Sequence, residues 1–467
     1  MDKLKVFNPA DNSLIGEVPK LNAEEVQAKV DKAVEAQKEW EATPVYERAE
    51  KMRKFADIIR ANEAKTTEIL GKEMGKPCAQ AQCESFDAAN LLCAAAERGN
   101  HLYTDVLGQN SPGMEDDLVF TKREPLGVIG CIIPFNFPIE LTFQKAAPAL
   151  IMGNAVLMKA PPQNPIAVLT MEQYALEAGI PEGVFQTFVC DVDVTTEKLT
   201  KNIQVAAISL TGSTRAGRAV MEAGASTLKK VFLELGGNDA MIIFDDADLD
   251  EVIPQIYEGR VLNNGQICCA SKRFIVQSGI YDKLAERLVA DLATLKQGNP
   301  ADPDVMLTTL ISEQAAINVE KQIQLTVEQG AKLLCGGKRT GAFVEPAVLT
   351  DVTADMDIAK DMEVFGLCFP LIKFETEEEA IAIANQSSYG LSSGIMSTDL
   401  TRALRVAGQI KAGGCVVNGD SQYRHYDQAF GGFKQSGIGR EGISASLEEF
   451  SELKTYVIKK AFCKEHK

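Results

Sequence analysis

Histidine is nearly absent: the 467 residues hold only His101, His425 and His466. Histidine-based metal ligation or a histidine-centred triad therefore has few possible players, and no metal is expected. Paired cysteine motifs are missing as well. Eleven cysteines, an odd number without C-x-x-C spacing, argue against a disulfide framework or a structural zinc site and fit a reducing compartment. No apolar window approaches the ~20 residues that a membrane span needs. The opening "MDKLKVFNPADNSLIG" has no apolar core of a secretion signal, so a cytoplasmic protein without membrane contact is expected. Basic charge is in deficit, 48 Lys and Arg against 65 Asp and Glu for a net −17. That balance repels nucleic acid and anionic lipid, although backbone amides aimed at one spot can still bind a small anion. Repeats, low-complexity tracts and Pro/Ser-rich linkers are also lacking.

What is present is an ordinary globular composition, 45% hydrophobic and 24% charged. Single cores stop growing near ~250–300 residues, so a chain of this length implies two or three domains. From Asn22 to about Gly71 apolar residues recur at helical spacing, and a further helix is expected over roughly Cys78–Gly99, its cysteines packed as small apolar side chains. After Gly113, "DDLVFTKREPLGVIGCIIPFNFP" alternates and then becomes a continuous apolar run, an exposed ribbon leading into a buried strand. Short buried strands then alternate with helices as far as "DAMIIF", which predicts a parallel, doubly wound α/β sheet of the nucleotide-binding kind. A second α/β rhythm follows Asp250. The terminal "SELKTYVIKKAF" reads as a strand with little nearby to pair with, expected to join another sheet edge, such as that of a partner subunit.

Four stretches could carry chemistry. In "ISLTGSTRAGRAV", small residues sit where a strand meets a helix, a place for a dinucleotide phosphate or simply a strand-helix turn. The spacing matches neither the Walker loop nor the strict G-x-G-x-x-G fingerprint. In "VFLELGGNDA", Glu234 among leucines would have a raised pKa and serve as a base; the other reading is a strand-end carboxylate facing solvent. In "IPFNFPIEL", Asn136 between two aromatics and two prolines could donate to a developing oxyanion, or cap a turn. In "NNGQICCAS", Cys268 or Cys269 could be a nucleophile, or both could be small buried hydrophobes. Regular geometry would let at most one face a given cleft.

Together and in order, these stretches resemble the aldehyde dehydrogenase superfamily across nearly the whole chain. "LELGGNDA" is similar to the family's glutamate signature and "NNGQICCAS" to its G-Q-x-C cysteine signature, with Glu234 and Cys268 spaced 34 apart. "PFNFP", "MKAPP", "MEVFG" and "AFGGFKQSGIGREG" agree independently. The resemblance implies Cys268 as nucleophile, Cys269 as packing, Asn136 as oxyanion donor and Glu234 as general base. It implies Pro134, Lys159, Thr211, Gly212, Ser213, Leu235, Glu363 and Phe365 as contacts of an NAD or NADP cofactor. The expected reaction is oxidation of an aldehyde to the free acid through a thiohemiacetal and a thioester. CoA-acylating relatives lack the glutamate, so Glu234 favours hydrolysis; retention of Asn136, Glu234 and Cys268 together speaks against an idle structural member.

The implied architecture has a cofactor domain over residues 1–104 and 125–235, a catalytic domain over 236–447, and an oligomerisation ribbon over 105–124 and 448–467. The ribbon implies a homodimer or homotetramer. Some positions depart from the family pattern. Pro162 stands where strongly NAD-selective members often carry a glutamate, which removes a barrier to NADP, and Arg215 could meet a 2′-phosphate or be merely exposed. Gln144 and Leu262 replace arginines usual in succinic-semialdehyde enzymes. Glu140 could polarise the substrate entrance or be a helix-start carboxylate. Arg424 and His425, in "SQYRHYD", point to a polar or anionic aldehyde or form a solvated loop.

Overall fold

The computed structural model describes residues 2–101, 104–108 and 111–462. His466 and the end of the terminal segment lie outside the described residues.

Two sheets and a ribbon organise the chain. The first sheet runs, in spatial order, Asp2–Phe7, Leu14–Leu21, Phe185–Cys190, Ala155–Lys159, Val128–Ile132, Ala207–Thr211, Lys230–Glu234 and Gly437–Ile438. Its central strands pair in parallel, and every residue of Ala155–Lys159 and Ala207–Thr211 is buried. That double-sided burial is why they read as continuous apolar runs rather than alternations. From Val128–Ile132 the chain steps to Ala155–Lys159 on one side and later to Ala207–Thr211 on the other. The carboxyl end of Val128–Ile132 is thus the switch point of a doubly wound sheet, the place where such folds leave a crevice. Asn136 follows that strand directly.

The second sheet runs Lys332–Cys335, Ala347–Val352, Cys368–Phe374, Ser271–Gln277, Asp239–Ile243, Ser393–Met396 and Val416–Val417. The chain crosses from one sheet to the other between Glu234, which ends a first-sheet strand, and Asp239, which begins a second-sheet strand. Cys268 lies just ahead of Ser271–Gln277, so the crossing and the two-cysteine turn meet between the sheets.

Expected helices appear as Ala23–Ala42, Val45–Ala61, Glu63–Met74 and Cys78–Gly99. The first is fixed at its start by a capping box in which the Asn22 side chain accepts from Glu25 N and the Glu25 side chain accepts from Asn22 N. Four features differ from expectation. An N-terminal antiparallel hairpin, Asp2–Phe7 with Leu14–Leu21, extends the first sheet; Pro9 and Pro19 hide it, because proline argues against a strand except at an edge or a strand end. The cysteines of Cys78–Gly99 are not core residues: Cys83 is exposed, and Cys78 and Cys93 are half-buried. The terminal strand Ser451–Ile458 does find a partner in its own chain, pairing over its full length with Leu118–Pro125, from Ser451 against Pro125 to Ile458 against Leu118. Val106–Leu107 completes this ribbon. One late strand, Gly437–Ile438, returns to the first sheet beside Glu234, so residues 236–447 do not all belong to the second.

Candidate active site

A cavity of about 280 Å³ opens between the sheets. It is lined by Asn136, Glu140, Thr211, Glu234, Cys268, Cys269 and Arg424, with Phe137, Leu141, Leu262 and Phe430 as apolar wall. The three stretches that carry the nucleophile, base and amide readings therefore converge on one space.

The cysteine turn is built by three consecutive left-handed residues, Asn263 (φ 51), Asn264 (φ 53) and Gly265 (φ 75). Asparagine tolerates that region because its short amide hydrogen-bonds locally, and glycine has no Cβ to clash. Asn263 Nδ2 donates to the Asn136 carbonyl at 2.9 Å and Asn264 Nδ2 to Thr308 Oγ1 at 2.8 Å. A Cβ on Gly265 would lie 2.6 Å from the Gly366 carbonyl oxygen. The turn brings both Cys268 and Cys269 to the cavity lining. Both cysteines sit in a turn rather than in a helix or strand.

The two thiols are nevertheless unequal. Hydrogen bonding from the Cys269 thiol holds Cys268 below the ordinary thiol range, and the charges of Lys272 and Arg424 add to this against the opposing effect of burial. Cys269 is correspondingly pushed well up by that same interaction and by burial. Its side chain packs in a small cluster with Ile267, Ala270, Leu391 and Phe430.

Glu234 is 6% exposed rather than facing solvent, and its Oε2 has no hydrogen-bond partner among the described residues. Burial and then the charge of Glu441 push its pKa well above the usual carboxylate range, with Arg424 and Lys145 opposing. Glu441 itself stays below that range: burial works against it, but Lys145 Nζ donates at 2.9 Å and Arg424 Nη2 at 2.9 Å.

Asn136 is clamped. Its amide nitrogen donates one hydrogen to the Gln266 carbonyl at 3.0 Å, and its own carbonyl accepts from Lys76 Nζ at 2.8 Å. Lys76 is fully buried, pairs with Glu84, and lies 3.7 Å from the centre of the Phe137 ring. Glu84 Oε2 in turn accepts from Ile139 N at 2.9 Å at the start of helix Pro138–Ile151. Sequence reading missed Lys76, Glu84, Lys145, Glu441 and Lys272; the available signal was charge embedded in otherwise apolar or small-residue stretches.

The positions read as cofactor contacts lie at carboxyl ends of first-sheet strands or close by. Lys159 ends Ala155–Lys159 and is 8% exposed, its ammonium destabilised by burial. Pro134 follows the switch-point strand. Thr211 Oγ1 is buried without a partner among the described residues. Gly212 leads to Ser213, which caps helix Thr214–Gly224 by accepting from Ala216 N. Leu235 packs its side chain in a small cluster with Leu210 and Leu233, over Gly217. Glu363 accepts from Gly237 N at 3.3 Å and pairs with Lys272 at 3.3 Å, and Phe365 meets Phe135 edge-on with centroids 6.0 Å apart. An unpartnered threonine hydroxyl, a capped helix start with open first-turn amides and a buried lysine fit a dinucleotide.

Not every candidate reaches the cavity. Gln144 is buried beside Lys145, Ser209 and Glu441 in a separate small void. The loop after Ser421 alternates, so Gln422 and Arg424 turn inward while Tyr423 and His425 are exposed. His425 lines a surface hollow with Glu97, Arg98 and His101. Arg215 is exposed in the first turn of its helix and borders an open hollow with Arg218, Asp361 and Tyr389; Pro162 is exposed.

Comparison with known proteins agrees with this geometry. Residues 1–456 match the family model described as Aldehyde dehydrogenase family. The chain is 36% identical over 457 residues to the NADP(+)-dependent succinate-semialdehyde dehydrogenase of Escherichia coli, covering 97% of this chain and 94% of that one. It is 37% identical over 452 residues to glutarate-semialdehyde dehydrogenase of Pseudomonas putida, covering 97% and 93%. Among solved structures it is similar to glyceraldehyde-3-phosphate dehydrogenase of Methanocaldococcus jannaschii complexed with NADP, at 32% identity and a TM-score of 0.94, covering 98% of this chain and 99% of that one. This chain belongs to the aldehyde dehydrogenase family.

Proposed function

We propose that the chain oxidises an aldehyde to its free acid with NAD(P)+, with Cys268 as nucleophile, Asn136 as oxyanion donor and Glu234 as base. The observation that carries this is the convergence of Asn136, Glu234 and Cys268 on one cavity.

Cys268, favoured as thiolate, attacks the carbonyl carbon, because a thiolate is the strongest nucleophile available without a histidine partner. The second hydrogen of the Asn136 amide and the Cys268 backbone N–H stabilise the oxygen as it gains charge; losing one such donor commonly costs ~10²–10³ in rate. Bound NAD(P)+ supplies the acceptor for the hydride that leaves this adduct. The resulting thioester on Cys268 is attacked by water, whose proton passes to Glu234. Collapse releases the acid and restores the thiolate. Glu234 is the feature that directs the acyl group to water rather than to CoA.

Lys159, Thr211, Gly212, Ser213, Glu363 and Phe365 are proposed to hold the cofactor, along with Pro134 and Leu235. Lack of a carboxylate at Pro162 and the exposed Arg215, which forms no ion pair among the described residues, support acceptance of NADP, and the E. coli and M. jannaschii relatives are named with NADP. Specificity for a semialdehyde is not part of the reading: Leu262 stands at an arginine position, and Gln144 does not reach the cavity. No helix of the described residues is long and apolar enough to cross a membrane. The described cysteines are all free, which supports a reducing, cytoplasmic setting. Val106, Leu107, Leu453, Val457 and Ile458 are exposed on the ribbon, which supports a homo-oligomer joined there.

The test is a pair of alanine variants. Cys268→Ala abolishes aldehyde-dependent NAD(P)H formation. Cys269→Ala retains most of it, with the acid limb of acylation moved to higher pH because the thiol that holds Cys268 down is gone. Comparable loss in both overturns the assignment.

A further inference from the structure

Asp87 and Glu140 face the aldehyde cavity from opposite elements, helix Cys78–Gly99 and the first turn of helix Pro138–Ile151. Neither forms an ion pair among the described residues. The cations around them are already engaged. Lys76 is held by Glu84 and the Asn136 carbonyl, and Lys145 by Ser209 and Glu441. Arg424 is held by Glu441, with its guanidinium carbon 3.5 Å from the centre of the Phe430 ring. Asp87 is set in place by the Tyr426 hydroxyl, which donates to Oδ1 at 2.9 Å while accepting from Asn90 Nδ2 at 2.9 Å. Two carboxylates therefore border one apolar-walled cavity without a contact ion pair among the described residues, the Arg424 charge reaching Glu140 only from its place on Glu441.

Resting on the proposed aldehyde oxidation, we infer that this cavity selects an aldehyde bearing a positive charge, an ammonium or quaternary ammonium group received by Asp87 and Glu140. A buried charge is tolerated when it is paired, so such a substrate supplies what the chain leaves out. Burial and the neighbouring Asp87 charge push Glu140 up to about 7, with Arg424 and Lys76 lowering it and Glu84 adding to the rise; burial also raises Asp87, against the Tyr426 hydroxyl. Both shifts come first from burial, and an ammonium arriving beside the carboxylates favours their ionised form. A carboxylated aldehyde would instead bring a third negative charge to the same wall. Phe137, Leu141 and Leu262 suit the methylenes between the aldehyde and the charged end. Selection thus rests on attraction for the cation and repulsion of the anion together.

The experiment compares kcat/KM for 4-(trimethylammonio)butanal, butanal and succinic semialdehyde at saturating NAD(P)+. The cation is expected to exceed butanal by about tenfold or more, and succinic semialdehyde to fall below butanal. Glu140→Gln should lower the cation-to-butanal ratio by about tenfold. A second readout needs no variant: tetramethylammonium competes with butanal in the wild-type enzyme, and acetate does not. Preference for succinic semialdehyde, an unchanged ratio in a folded Glu140→Gln, or failure of tetramethylammonium to compete overturns the cation inference alone. Absence of turnover with all three aldehydes overturns the proposed oxidation and this inference with it.

Discussion

In the proposed reaction Glu234 must be ionised to take a proton from water, yet burial and Glu441 favour its neutral form. The sign of the pH dependence follows. As pH falls through the elevated pKa the base is lost, so the acid limb of kcat lies above the ordinary carboxylate range near ~4.3. Cys268 behaves oppositely: its lowered pKa keeps the nucleophile available as pH falls. Deacylation thus fails before acylation on acidification. Glu234→Gln should still give a burst of NAD(P)H close to one per site, followed by turnover slowed ~10²-fold or more, with the acid limb of kcat removed. Single-turnover kinetics measures both, and absence of the burst contradicts a role confined to thioester hydrolysis. Nothing in "VFLELGGNDA" taken alone separates this from an exposed strand-end carboxylate. The distinction depends on Gly437 pairing with Glu234, which brings in chain about 200 positions away.

At the scale of elements, the long-range clamp on the Asn136 loop is the least legible part of the site. "IPFNFP" announces a stiff turn through its prolines, but the groups that hold it come from "MGKPCAQAQCE", a stretch that reads as the start of a helix. Lys76 and Glu84, eight positions apart, meet only because Pro77 starts a new helix after Lys76. Periodicity reports helices and strands; it does not report which buried charges find each other across them. The same limit explains the two-cysteine turn, where left-handed asparagines replace the alternation that a strand would impose. The clamp makes Lys76 and Glu84 positioning residues. Removing one partner leaves a buried unpaired charge and should cost ~3–5 kcal/mol of stability in Lys76→Met or Glu84→Leu. The double variant Lys76→Met/Glu84→Leu should recover most of the loss in Tm while kcat stays depressed about tenfold and KM moves little, because the Asn136 carbonyl keeps only the Asn263 amide and lacks the Lys76 ammonium. Recovery of kcat together with Tm would reduce the pair to a structural role.

On the scale of the whole molecule, the doubly wound first sheet and the second α/β unit were legible from strand-helix rhythm, and the ribbon from the alternation in "DDLVFTKREP" and "SELKTYVIKK". Alternation specifies a strand without specifying its partner, so the sequence of the terminal strand does not reveal that it pairs with Leu118–Pro125. Pairing within the chain does not complete the ribbon. Ser451–Ile458 remains an edge strand, and Leu453, Val457 and Ile458 are each more than half exposed on it. Exposed apolar side chains beside unpaired backbone groups are a surface that proteins cover, either within the molecule or with another copy. A second copy meets both needs through a two-fold contact. Light scattering coupled to size exclusion should therefore give a multiple of the chain mass for the wild type. Leu453→Lys/Val457→Lys, which places like charges along that edge, should shift it towards the single-chain mass while the far-ultraviolet circular dichroism is retained. A wild-type protein that elutes at the mass of one chain, or a variant with undiminished mass, would remove the ribbon as the subunit contact.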